Sequence, residues 1–110
     1  MSAADVLTQT QIEDQLAALP YWRYRPTGLA AVFKLPTARA ALDLLARIGD
    51  LAEHANHHPD VDWRYNRLLV TLISHDAGDA ITSRDMELAR QISAAGRNAG
   101  ATAEPDHIPE

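Results

Sequence analysis

The sequence predicts an α+β domain of helix-hairpin-helix-hairpin-helix order, with a four-stranded, largely antiparallel sheet and its helices packed on one face. Three observations lead there. Apolar residues recur at three- and four-residue spacing over residues 37–57, the period of a helix with one buried face. On either side, residues 21–35 and 62–75 are rich in aromatic and β-branched types that suit half-buried strands. Turn residues divide each of those stretches in two. Two successive hairpin-then-helix units then form one sheet against which the helices lie. The 110 residues, 46% of them hydrophobic, suffice for one core, placed here at residues 1–97, with residues 98–110 as a flexible tail.

Each element has its own signals. The first dozen residues read as loosely ordered until Thr10-Gln11-Ile12-Glu13, which has capping-box spacing. Ile12, Leu16 and Leu19 share a helical face, and Pro20 stops that helix. Tyr21-Trp22-Arg23-Tyr24, the turn Pro26-Thr27-Gly28 and residues 29–35 form the first hairpin. Thr37 is the N-cap of the longest helix, whose buried face runs through Ala41, Leu44, Leu45, Ile48, Leu51, Ala52 and Ala55. The residue before a proline avoids helical backbone, so Pro59 ends the helix near His57. The second hairpin joins Asp62-Trp63-Arg64-Tyr65 through Asn66-Arg67 to a strand over residues 68–75. Alternation puts Leu69, Thr71, Ile73 and His75 on one face of that strand and Leu68, Val70, Leu72 and Ser74 on the other. Apolar residues on both faces predict a central strand at least partly covered on both sides. After a loop at residues 76–80, Thr82-Ser83-Arg84-Asp85 starts the last helix with a second capping box, Ile81 stapling against Met86. Leu88, Ala89 and Ile92 form its inner face.

Composition narrows the function. The net charge of −5, with nine arginines and one lysine scattered along the chain, weighs against nucleic acid as a direct ligand. Cysteine is absent, which removes disulfides, thiolate nucleophiles and Cys-based zinc sites. Apolar runs are too short to span a membrane, and the start lacks the basic and apolar regions of a secretory signal. A cytoplasmic protein is expected.

The chemistry is concentrated in the histidines. Four of the five, His54, His57, His58 and His75, fall between Glu53 and Asp85. Taken singly, each is more often structural than functional, and His54 reads as a solvated helix residue. Together they bring imidazoles from two distant segments to the ends of elements, where sites form. A metal site would use the i, i+4 pair His54 and His58 with His75 or Asp85. Pro59 spoils that helical geometry, and the glutamate-between-histidines pattern of metalloproteases is missing. The other reading is metal-free acid/base chemistry. Histidines beside carboxylates (Glu53, Asp76, Asp85) can hold one imidazole protonated and another neutral, as an elimination or dehydration requires.

At this spacing the residues Glu53-x-x-Asn56-His57-His58-Pro59, Tyr65-Asn66, Thr71-Leu72-x-Ser74-His75-Asp76 and Thr82-x-x-Asp85 resemble the signature of the pterin-4a-carbinolamine dehydratases. Leu19-Pro20-Tyr21-Trp22 is similar to the step that begins the family's first strand, so the resemblance covers most of the chain. It implies dehydration of 4a-hydroxytetrahydropterins to quinonoid dihydropterins, in recycling of tetrahydrobiopterin. It implies no metal and no cofactor, since the pterin is the substrate. The implied catalytic residues are His57, His58 and His75. His57 and His75 exchange the protons of the C4a hydroxyl and N5, and His58 orients the substrate. The implied substrate-binding positions are Asn56, Ile73, Ser74 and Asp76, with Glu53 and Asp85 as supporting acids. The stretch from His75 to Asp85 is one residue longer than the usual pattern, with Asp79-Ala80-Ile81 where a glycine is common. Asp85 also has a complete reading as the cap of the last helix. The resemblance further implies a homodimer or homotetramer. The competing reading is a catalytically idle member of the fold acting as a protein-binding or assembly factor. Retention of all three histidines favours the enzyme.

Overall fold

The computed structural model describes residues 5–110; the loose order expected for Met1 to Ala4 lies outside the described residues. Helix α1 (Gln9–Leu16) begins one cap earlier than the sequence reading placed it. Thr8 is the N-cap, and Gln11 closes the box by accepting from the Thr8 N–H at 2.8 Å. Glutamine serves at that position as well as glutamate, so Thr8 and Thr10 offered two registers. Ahead of it the chain is already tied down: the Leu7 N–H donates to the Ile81 carbonyl at 2.9 Å.

Strands β1 (Arg23–Arg25) and β2 (Gly28–Lys34) form the first hairpin, and Thr37 caps helix α2 (Ala38–Ala55), as expected. The second hairpin is β3 (Asp60–Arg64) and β4 (Arg67–Leu72), with Tyr65-Asn66 at its turn. The turn is therefore one residue earlier than Asn66-Arg67. Tyr65 takes the positive φ of 56°, and the Asn66 side chain instead donates to the Leu35 carbonyl at 2.9 Å. β4 stops at Leu72, so His75 is not on the strand but opens a 3₁₀ turn, His75–Ala77. Helix α3 (Ser83–Asn98) follows with the Thr82–Asp85 capping box, and Ile81 and Met86 are both buried.

The antiparallel sheet has the order β1-β2-β4-β3, which makes β2 and β4 the internal strands. Register sets the faces. Leu29, Ala31 and Phe33 of β2 stand opposite Leu72, Val70 and Leu68 of β4, and all six are buried beneath the three helices. Trp22 closes this core with its indole N–H donating to Ser93 Oγ at 2.8 Å. Gly28 lets the hairpin close: at φ +130°, a Cβ there would stand 2.3 Å from the Leu72 carbonyl oxygen.

The C-terminal segment departs from expectation. The lack of periodicity in residues 98–110 predicts a flexible tail. They instead turn back to add a short strand β5 (Thr102–Ala103) beside Phe33 and Lys34 of β2. Ile108 is then buried against Ala30, Val32 and Leu69 on the face away from the helices. Arg67 Nε donates to Glu104 at 2.6 Å and Arg25 Nε to the Pro109 carbonyl at 3.1 Å. One apolar residue and two arginines on other strands hold this segment, and no pattern within residues 98–110 announces it. This fifth strand is the addition to the four expected.

Candidate active site

The histidines meet where α2 ends, β4 ends and α3 begins. Asn56 caps α2 in left-handed backbone at φ 50°, a conformation asparagine tolerates better than most residues. That reversal sends adjacent histidines in opposite directions. His57 is buried, 8% exposed, while the His58 side chain is 56% exposed.

His57 Nε2 lies 2.6 Å from Asp85 Oδ1, and Asp85 is fully buried. The other carboxylate oxygen accepts from Ser74 Oγ at 2.8 Å and from the Thr82 N–H at 2.9 Å. The two oxygens of Asp85 thus divide: one caps α3, and the other lies against His57. With Asp85 accepting, the Nε2 nitrogen carries the proton and Nδ1 is the ring nitrogen left for other work. His58 Nε2 pairs with Glu53 one turn back on α2. His75 Nδ1 pairs with Asp79 Oδ1 at 2.6 Å, and this bond, with the charges of Asp79, Asp60 and Asp76, raises the His75 pKa above the usual imidazole range. Arg84 donates to Asp76 at 2.6 Å and holds that carboxyl below the usual carboxylate range.

A shallow cleft of about 270 Å³ opens over these groups, lined by Asn56, His57, His58, Ile73, His75, Asp76 and Arg84. The three histidines therefore share one surface, each with a carboxylate on one ring nitrogen. Ser74 and Asp85 were expected beside the substrate but are fully buried behind His57 and line no part of the cleft. Ser74 Oγ turns inward, to Asp85 and to Thr82 Oγ1 at 2.8 Å; Ser74 lies past the end of β4, but its backbone is still extended. Glu53 likewise lines no part of the cleft and pairs with His58. His54 is exposed and outside the cleft. Among the described residues no three His, Asp or Glu side chains gather as a metal's ligands would. Sequence reasoning missed Asp79 and Arg84. The i, i+4 spacing from His75 to Asp79 was a usable signal for the first; nothing in sequence aimed Arg84 at the cleft.

The sequence profile described as pterin 4 alpha carbinolamine dehydratase matches residues 5–95. The chain belongs to this family. A family protein from Acidobacterium capsulatum is 40% identical over 88 residues, 80% of this chain and 95% of its own length. One from Mycobacterium leprae is 38% identical over 87 residues, covering 79% of this chain and 92% of its own. The crystal structure of a transcriptional coactivator/pterin dehydratase from Brucella melitensis superposes with a TM-score of 0.78 at 29% identity, over 83% of this chain and 98% of that one. The segment after residue 95 lies outside the family match.

Proposed function

We propose that this chain dehydrates 4a-hydroxytetrahydropterin to quinonoid dihydropterin by histidine acid/base catalysis. The observation that carries the reading is the cleft's three imidazoles, each paired with a carboxylate on one nitrogen and lying beside a wall of Asn56, Ile73 and Asp76. His75, whose pKa the Asp79 hydrogen bond raises, is suited to donate a proton to the C4a hydroxyl. The C4a–O bond breaks and water leaves with its electron pair. The N5 lone pair forms the C4a=N5 bond, and the N5 proton passes to His57 Nδ1, Asp85 steadying the imidazolium. Solvent then carries the proton from His57 back to His75, so the cycle balances. His58, held by Glu53, orients the substrate. Asp76, kept ionised by Arg84, accepts N–H groups from the pterin edge.

The test couples the purified chain to a phenylalanine hydroxylase supplied with tetrahydropterin and follows decay of the 4a-hydroxy absorbance. The wild type accelerates the decay, and His57→Ala and His75→Ala each lose at least about 10²-fold. A folded wild type that accelerates nothing moves the function to the second reading, a protein-binding factor, which the coactivator description of the Brucella melitensis protein favours. We also propose a homodimer or homotetramer, supported by the outer edge of β3 and the turn that follows it, where Trp63 is 48% and Tyr65 76% exposed. No helix among the described residues is long and apolar enough to cross a membrane.

A further inference from the structure

We propose that the cavity on the second face of the sheet, walled by the C-terminal segment, binds a small carboxylate with an apolar body. It measures about 190 Å³ and is lined by Val32, Arg64, Arg67, Leu69, His107 and Pro109. It shares no lining residue with the histidine cleft. Each polar side chain in its lining is a cation or can become one, in a chain whose net charge is −5. The other half of the lining is hydrocarbon.

The cationic side of the site has donors to spare. Arg67 commits its Nε to Glu104, one of five guanidinium N–H groups. Arg64 makes only a 3.9 Å exposed pair with Asp62, the kind of contact that competes weakly with a ligand. A carboxylate between the two guanidiniums accepts charge-assisted hydrogen bonds, and His107 sits on the same rim. The apolar side is a floor of Val32 and Leu69 from the sheet and a wall of Pro109.

The wall is held in place before any ligand arrives. The Glu104 N–H donates to the Val32 carbonyl at 2.9 Å, Arg25 holds the Pro109 carbonyl, and Ile108 is buried between them. Preorganised walls lower the ordering cost of binding. His107 and Pro109 lie beyond the family match, whereas the two arginines and the floor of Val32 and Leu69 lie within it.

The experiment is a titration of the ¹⁵N-labelled full chain with 3-phenylpropionate, with 3-phenylpropan-1-ol as the uncharged control. Saturable shifts at the amides of Leu69, His107 and Ile108, half-complete at about 1 mM or below, are expected. Arg64→Gln, at an exposed position, weakens them about tenfold, and His57→Ala leaves them unchanged. Shifts centred on the histidine cleft, no saturation, or equal affinity for the alcohol or for Arg64→Gln would overturn the proposal. The readout is binding alone, so it stands or falls apart from the dehydratase reading.

Discussion

Asp85 shows how much one buried carboxylate can settle. Its two oxygens divide between the α3 cap and His57, and Ser74 and Thr82 supply the donors that keep it satisfied without water. Asp85→Asn keeps an acceptor for the cap but turns an amide N–H toward His57, which reverses the ring's tautomer. Dehydration should fall at least about 10²-fold while the fold persists; near-wild-type turnover in the coupled assay would refute the His57 role. Ser74→Ala leaves the buried carboxylate short of a donor and should cost about 1–3 kcal/mol in urea unfolding. His75 carries the pH dependence. Its pKa is raised chiefly by the hydrogen bond to Asp79. The protonated pair's stabilisation is therefore fully present below the ordinary imidazole range and is lost as pH rises through the elevated folded value. Asp79→Asn should lower the His75 midpoint in an NMR titration and move the alkaline limb of the rate profile downward with it. An unmoved midpoint would separate Asp79 from His75.

Elements differ in how far local sequence determines them. α2 was legible because its cap, its apolar period and Pro59 all agree, and the first hairpin because Gly28 sits where only glycine fits. Gly28→Ala meets both a left-handed φ and a carbonyl oxygen 2.3 Å away, so it should destabilise by more than about 2 kcal/mol in chemical denaturation. At the site, the histidines were legible by type and spacing, but their directions were not. The left-handed Asn56, the early end of β4 and the 3₁₀ turn at His75 decide which imidazole goes inward, and these depend on contacts made across the fold. The C-terminal segment was illegible for the same reason: its partners, Arg25, Arg67 and Val32, lie far away in sequence. The Arg67 bond depresses the Glu104 pKa, so the stabilisation from this clasp is present above the ordinary carboxylate range and is lost as pH falls through the lowered folded value. Protection factors against hydrogen exchange at residues 102–108, corrected for the intrinsic pH dependence of exchange, should fall on acidification before those of the helices do. Simultaneous loss would mean that the segment is part of the core unfolding unit.

On the scale of the whole molecule, the sheet has two unlike borders. Along one, β1 and β5 lie end to end beside β2, three and two residues long, with Arg23 and Arg25 among them. Along the other, β3 offers five residues and the exposed Trp63. The proposed homo-oligomer should appear in light scattering at micromolar concentration, and Trp63→Asp should weaken it at least about tenfold. A monomer mass for the wild type would sink the proposal. If strands pair at the β3 border, the molecule is monovalent in the direction of sheet growth: joining two copies consumes the adhesive border of both and leaves only short, charged, interrupted borders outside. Such a sheet terminates at two chains, and the C-terminal strand is what keeps that count from becoming a fibre.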